Sequence, residues 1–157
     1  MAERISAAQR SANMSRIRSK NTKPELIVRR LLHAAGYRYR LHGRIGSASL
    51  PGRPDLVFAG RRKVVFINGC FWHSHSCRAG LRAPVNNASF WHEKRRRTVE
   101  RDAAQLTDLH QQGWEILVVW ECELKDRSQL ERRLVSFLGA SPQASRPPPS
   151  KSAATPK

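Results

Sequence analysis

The sequence Cys70-Phe71-Trp72-His73-Ser74-His75-Ser76-Cys77 concentrates metal-binding and aromatic side chains directly after the apolar run 64–67. It contains two of the chain's three cysteines, two of its six histidines and one of its four tryptophans. The run Val-Val-Phe-Ile predicts a β-strand, so the Cys/His segment is a loop at a strand end. We interpret it as a zinc-binding loop that presents aromatic side chains and leaves one histidine free for chemistry.

Composition limits what kind of protein this is. A chain of 157 residues is long enough for one domain with a real core. The net charge of +17 and pI of about 11.4 favour a polyanionic partner, above all nucleic acid; a merely soluble basic protein is the plainer alternative. No apolar run is long enough for a membrane helix, and the polar start of the sequence makes a secretory signal unlikely, so we expect a cytoplasmic protein.

The first half of the chain predicts one helix and two or three strands. Thr22-Lys23-Pro24-Glu25 is a capping box that begins a helix, and Gly36 ends it. Residues 37–41 alternate as an edge strand does, and 43–52 form a loop. Residues 56–58 and 63–67 predict a hairpin.

The second half adds two helices and a strand. Residues 89–112 have helical spacing, with Gly113 as the stop and a predicted buried stripe of Val99, Ala103, Leu106 and Leu109. Residues 114–120 are the most apolar run and predict the central strand. A capping box at 128–131 begins a last helix through Leu138. The order α, β, β, β, α, β, α predicts an α/β fold, a mixed β-sheet flanked by helices on both faces.

The domain organisation follows from composition. Residues 1–21 are a basic arm that we expect to be loosely ordered, with Arg16, Arg18 and Lys20 as phosphate-contacting candidates. Residues 22–140 form the domain. Residues 141–157, rich in Pro, Ser, Ala and Lys, predict a disordered tail.

Metal binding is the first use to consider for three thiols in a reducing compartment. A structural zinc site takes four Cys or His ligands. The chain offers Cys70, Cys77 and Cys122, together with one of His73 and His75. The alternative is three buried thiols and two surface histidines.

Five motifs together resemble the very-short-patch repair endonucleases. They are Leu50-Pro51-Gly52-Arg53-Pro54-Asp55, Gly69-Cys70-Phe71-Trp72-His73, Val99-Glu100-Arg101-Asp102, Gly113-Trp114 and Val118-Val119-Trp120-Glu121-Cys122. The likeness also takes in Asn13-Met14 and Glu25, and covers roughly residues 10–138. It implies a restriction-endonuclease-like fold.

The resemblance also implies an activity. Family members recognise the T:G mismatch that deamination of 5-methylcytosine leaves, and nick the backbone 5′ to the thymine. It implies one structural zinc, catalytic magnesium, double-stranded DNA as substrate and mismatch-repair proteins as partners. Nicking one strand at an asymmetric lesion favours a monomer.

Carried onto this sequence, the resemblance implies specific site residues. Cys70, His75, Cys77 and Cys122 would bind zinc. Asp55 would bind magnesium with the backbone carbonyl of Ile67, and His73 would be the general acid or base. Glu25 is either part of its capping box or catalytic. Asn68 stands where several members are expected to have histidine, so it can hydrogen-bond but cannot shuttle a proton.

DNA contacts are implied as well. Apolar wedges test how easily a base step opens, and the implied wedges are Phe71, Trp72 and Trp91, with core packing as the alternative for Phe71 and Trp91. The candidate phosphate contacts are Arg53, Lys94, Arg16, Arg18 and Lys20. Two other functions remain open: a zinc-stapled DNA-binding protein with weak or no catalysis, and a restriction-like nuclease without mismatch preference.

Overall fold

The computed structural model describes residues 6–17 and 19–142. No helix in this part of the chain has the length and apolar character to cross a membrane. The helices and strands, in chain order, are α1 (Ala7–Ser15), α2 (Lys23–Ala34), β1 (Arg40–Leu41), β2 (Arg44–Ile45), β3 (Ala48–Ser49), β4 (Leu56–Phe58), β5 (Lys63–Asn68), α3 (Ala88–Gln111), β6 (Glu115–Trp120) and α4 (Arg127–Leu138).

The main sheet has the strand order β1-β4-β5-β6. β4 pairs antiparallel with β1 and with β5, which confirms the predicted hairpin. β5 and β6 are parallel, in a register that runs from Lys63 opposite Glu115 to Asn68 opposite Trp120. Parallel strands need a long crossover connection, which here contains the Cys/His loop and α3. The C-terminal ends of β5 and β6 therefore lie side by side at the same end of the sheet.

Successive residues of the strands face opposite sides, and each side has its own core. Val65 and Leu56 pack with α2 and α4, where the buried residues include Leu32 and Leu134. On the opposite face Val64 and Val57 pack with Leu109 of α3 and with Trp114. The prediction of an α/β fold with helices on both faces of a mixed sheet is confirmed.

The most apolar strand does not lie at the centre of the sheet. In the described part of the chain β6 is the last strand of the order and β4 and β5 are the inner ones, so the predicted central position was wrong. The outer edge of β6 is covered by a side chain, since Arg133 of α4 donates from Nη2 to the Val118 carbonyl over 3.1 Å. Burial on its two faces, and not a second strand partner, accounts for its apolar sequence.

The inner face of α3 also differs from the prediction. Val99 is 43% exposed and Ala103 is exposed, so of the predicted stripe Leu109 is buried and Leu106 half-buried. The half-buried positions nearer the start of the helix include 91, 95, 98, 102 and 105. Several of these residues are polar: Asp102 and Gln105 line a cleft, and Arg95 bonds to the Cys/His loop.

Smaller differences concern the chain ends and the loop. The predicted arm contains the capped helix α1, and the loop 43–52 contains the hairpin β2–β3. The edge strand is limited to β1. α4 is capped by Asp126, whose side chain accepts from the Gln129 N–H over 2.9 Å, and not by Ser128. The predicted tail lies almost wholly outside the described residues, and the division into arm, domain and tail stays a prediction.

The two cores predict how neighbouring positions on α4 respond to truncation. Leu134 is fully buried, so Leu134→Ala should lower the free energy of unfolding by about 2–5 kcal/mol through lost burial and a cavity. The adjacent Val135 is 37% exposed, and Val135→Ala should cost less than about 1 kcal/mol. Urea unfolding of both variants measures the difference, and equal losses would contradict this packing.

Candidate active site and metal centre

A cleft of about 910 Å³ opens where β5 and β6 end, between α3 and the arm. It brings together most of the residues that the sequence predicted for catalysis. These are Glu25, Asp55, Ile67, Asn68 and His73, and the cleft wall also includes Lys20, Arg53 and Trp72. Residues from distant parts of the sequence thus share one concave surface, which is the usual form of a binding site.

Asp55 precedes β4 and faces the cleft. Its Oδ2 accepts a hydrogen bond from the Ile67 N–H over 2.7 Å. Burial raises the pKa of the Asp55 carboxyl to about 6, and the negative charge of Glu25 adds to this rise. The Ile67 hydrogen bond and the positive charges of Arg29 and His73 offset only part of it. The cleft therefore holds a carboxylate whose charge is poorly compensated by its own surroundings.

His73 is paired with Asp102, which the sequence analysis quoted within the motif 99–102 but to which it assigned no role. Its Nδ1 lies 2.5 Å from Oδ2 of Asp102, with both side chains about three-quarters buried, at 24% and 23% exposure. Burial by itself would raise the pKa of Asp102, but the hydrogen bond and charge of His73, with help from Arg101, lower it below its ordinary value. Asp102 is therefore an ionised acceptor that fixes the His73 ring.

A helical signal could have identified Asp102. It lies eleven residues after Trp91 and seven before Leu109, which is the spacing of one helix face. An acidic residue on the inner face of a helix needs a partner. The predicted stripe, one position away along the helix, drew attention to Val99 and Ala103 instead.

The four predicted metal-binding residues lie together. The ligand atoms of Cys70, His75, Cys77 and Cys122 are all within 4.8 Å of one another. A hydrogen bond with His75 lowers the pKa of the Cys77 thiol to about 6, while burial raises that of Cys70 to about 12. Three thiols and one imidazole in this arrangement could hold a metal ion, which would favour the thiolate form of each cysteine.

The local fold of the Cys/His loop explains this convergence. The His75 N–H donates to the Cys70 carbonyl over 3.0 Å, which closes a turn. Gly80 packs so closely on the backbone of His75 that any Cβ there would collide with the His75 carbonyl. Cys122 arrives from the end of β6, and the Trp120 ring stacks on His75 at a centroid distance of 4.2 Å.

The three predicted wedge aromatics form one cluster. Phe71 and Trp72 are 5.1 Å apart between ring centroids, and Trp72 and Trp91 are 5.7 Å apart. All three are half-buried. Phe90, which is 57% exposed, extends the cluster by an edge contact with Trp91. These rings are thus neither fully buried in a core nor fully exposed to solvent. They lie on the same loop and helix that carry His73 and Asp102.

The basic residues near the site fall into two groups. The Lys94 Nζ lies 5.3 Å from the centroid of the Trp91 ring, and Arg53 and Arg16 are exposed. In contrast, Arg96 and Arg97 pair with acidic residues of their own helix, so part of the basic run on α3 is neutralised locally. Lys20 lines the cleft, whereas Arg16 and Lys94 do not, and Arg18 lies outside the described residues.

Comparison with known proteins identifies a matching family model and several sequence relatives. The sequence model of the DNA mismatch endonuclease Vsr family matches residues 2–79. The chain is 45% identical over 141 residues to "Type II nicking enzyme V.XorIIP" of Xanthomonas oryzae pv. oryzae, covering 90% of this chain and 100% of that one. It is 41% identical over 130 residues to "DNA mismatch endonuclease Vsr" of Escherichia coli K12, covering 83% of this chain and 80% of the relative.

A third relative and a solved structure complete the comparison. The chain is 42% identical over 134 residues to "Type II nicking enzyme V.NmeAIP" of Neisseria meningitidis serogroup A, covering 85% of this chain and 92% of the relative. The homing endonuclease I-Bth0305I catalytic domain aligns with a TM-score of 0.48 at 20% identity, over 74% of this chain and 94% of that domain. From the sequence relatives, this chain belongs to the Vsr family of DNA mismatch endonucleases.

Proposed function

We propose that this DNA endonuclease nicks one strand 5′ to the thymine of a T:G mismatch left by deamination of 5-methylcytosine, and so begins very-short-patch repair. The observation that carries the proposal is the loop after β5. In consecutive positions it presents the aromatic cluster, through Phe71 and Trp72, and the cleft histidine His73. A mismatch lowers the cost of opening a base step. Recognition of the mismatch and cleavage of the backbone beside it would therefore depend on the same short loop.

We assign Asp55 and the Ile67 carbonyl to a magnesium ion. The fit is supported by the chemistry of Asp55, a half-buried carboxylate whose raised pKa shows that its charge is under-compensated. Hard oxygen ligands suit this cation. When bound, magnesium would neutralise the charge that develops on the scissile phosphate. The protein's own contribution is to hold Asp55 in place through the Ile67 N–H.

We assign to His73 the proton transfers of the cleavage reaction. Asp102 accepts from Nδ1, which orients the ring and leaves Nε2 to exchange a proton with water or with the leaving oxygen. Asp102 is a positioning residue for His73. Asn68 lines the same cleft and can hydrogen-bond a phosphate or a water molecule. Glu25 also lines the cleft, where its carboxylate accepts hydrogen bonds from Asn21, Thr22 and Arg29.

We assign a structural zinc ion to the Cys/His cluster. Three cysteines and one histidine are a donor set typical of closed zinc sites, and their ligand atoms converge within 4.8 Å. His75 is the histidine ligand, because His73 is held by Asp102. The ion would tie the end of β6 to the loop after β5.

DNA binding would combine the wedges with phosphate contacts. Trp72, Phe71 and Trp91 would enter the base stack, and a net charge of +17 favours the duplex electrostatically. We propose that the protein acts as a cytoplasmic monomer and that mismatch-repair proteins are partners. The basic residues proposed to contact phosphates are Arg53, Lys94, Arg16, Arg18 and Lys20.

The first test is cleavage of an end-labelled duplex with one T:G mismatch in several methyltransferase contexts. Wild type should make a single nick 5′ to the thymine in magnesium and none in EDTA. Asp55→Asn and His73→Ala should lower the rate at least about 100-fold, since each removes a group used in bond breaking. His92→Ala, an exposed histidine on α3, is the matched control and should cut normally.

The same assay separates the alternatives. Tight binding without a nick under any condition would make the protein a recognition module, and Asn68→His would then be the variant to examine. Equal cutting of a matched duplex would show a nuclease without mismatch preference.

Asp55 also predicts a pH-dependent stability. Its pKa in the folded protein is about 6, above the ordinary value of 3.8, so the folded state loses stability as pH rises from about 4 to about 6. In EDTA at pH 7.5, Asp55→Asn should therefore unfold with a free energy about 1–3 kcal/mol higher than wild type. The gain should vanish below about pH 4. Denaturant melts at both pH values check this, and a less stable variant at pH 7.5 would contradict it.

Zinc removal should loosen the loop and the end of β6 together. The purified protein should contain one zinc ion per chain, and a chelator should lower its melting temperature. Cys122→Ala should melt lower than wild type without chelator and should not respond to chelator. Melting that is unaffected by removal of a demonstrated metal would exclude the structural role.

A further inference from the structure

Residues 19–22, which include the end of the basic arm and directly precede α2, lie along one side of the cleft. Ser19 and Lys20 line this cleft together with Asp55 and His73. Every residue of α1 whose burial is described is exposed, so none of these residues anchors the helix in a core. The path of the arm beside the cleft therefore depends on how residues 19–22 are held.

The chain turns at Asn21, whose φ of 55° lies in the left-handed region that side chains rarely adopt. Both the backbone and the side chain of Asn21 are bonded to α2. Its N–H donates to Glu25 Oε2 over 2.9 Å, and its Oδ1 accepts from Arg29 Nη1 over 2.6 Å. Arg29 Nη2 donates to the same Glu25 oxygen over 3.0 Å. The guanidinium of Arg29 thus links the turn at Asn21 to Glu25 on α2.

Because Glu25 and Arg29 are buried, removal of either partner would lower the stability of the protein. The side chains of Glu25 and Arg29 are 5% and 11% exposed, and a buried ion pair loses several kcal/mol when one partner is removed. The second Glu25 oxygen, Oε1, accepts from Thr22 Oγ1 over 3.0 Å. Both oxygens of Glu25 are thereby engaged by the connecting segment or by Arg29.

One atom in the network is not satisfied. Arg29 Nε is buried with no hydrogen-bond partner among the described residues. Such an unsatisfied donor lowers stability. The two terminal nitrogens of the guanidinium, in contrast, are both engaged, Nη1 by Asn21 and Nη2 by Glu25.

We propose that Arg29, acting through Asn21 and Glu25, is a positioning residue that sets the path of the arm beside the cleft and so sets how tightly DNA is held. This inference rests on the proposed function, in which the cleft receives the DNA strand. An arm that is already in place loses less conformational entropy on binding than a free one, and its Arg16 and Lys20 can then neutralise phosphates. The bond-breaking step is left unchanged.

The charge-conserving variant Arg29→Lys tests the proposal in the full-length protein. A single ammonium cannot reproduce the planar fork that reaches both Asn21 and Glu25. Without DNA, trypsin cleavage of the Lys20–Asn21 bond should accelerate about tenfold, the factor given by a loss of about 1.4 kcal/mol. With mismatched duplex, KM and Kd should rise about fivefold to tenfold, while kcat at saturating DNA stays within about twofold.

Two further variants control for charge and for folding. Arg30→Lys changes the exposed neighbour on α2 in the same way and should behave as wild type in every readout. Asn21→Gly keeps the left-handed backbone accessible but removes the acceptor for Arg29, so it should act in the same direction as Arg29→Lys. It serves as the principal variant if thermal unfolding shows that Arg29→Lys is broadly destabilised.

Two outcomes would overturn the proposal. A fall in kcat with unchanged KM would place the network at the reacting groups, and unchanged trypsin cleavage at Lys20–Asn21 would show that it does not hold the turn. If wild type itself fails to nick mismatched DNA, the proposed function is wrong. The protease and duplex-binding measurements would still decide the role of Arg29.

Discussion

The parallel pairing of β5 and β6 is the constraint on which the site depends. Because Asn68 and Trp120 are partners in this register, the segments that follow them leave the sheet side by side. This brings Cys122 to the Cys70–Cys77 loop, although they are far apart in the sequence. The antiparallel hairpin adds Asp55 to the same region, through its bond to the Ile67 N–H. The Cys/His cluster and the cleft with the proposed catalytic residues thus lie at the same end of the sheet, where β5 and β6 terminate.

The cleft contains charges that the fold does not compensate equally. Asp102 has His73 as a partner and its pKa is lowered, whereas Asp55 is half-buried near another acidic residue, Glu25, and its pKa is raised to about 6. Stability would favour an uncharged side chain at position 55. A poorly compensated carboxylate is suited to bind a cation, and the lower stability would be a consequence of the metal binding proposed for Asp55.

The loop after β5 has two kinds of neighbours. Its cysteines and His75 converge in the Cys/His cluster, while Phe71 and Trp72 join Trp91 in a half-buried group of rings. His73 lies between them and is held by Asp102. Any shift of the metal centre would therefore move both the wedge aromatics and the histidine, because consecutive residues of one tight turn carry all three.

The sequence by itself indicated α2, α3, α4, most of the main sheet and the α/β class, but not α1 or the β2–β3 hairpin. Local signals sufficed for the helices and the Cys/His loop: the capping box at Thr22, the glycine after each long helix and the density of ligands at 70–77. The family, and His75 rather than His73 as the fourth residue of the Cys/His cluster, came from the resemblance of longer motifs. Only the tertiary structure decided that β6 lies at the sheet edge, that Asp102 orients His73, and that Arg29 joins Asn21 to Glu25. The physical reason is that strand order and side-chain pairing are set by packing between distant segments, and hydrophobic periodicity shows that a helix or strand has an inner face without showing whether a core or a cleft lies against it.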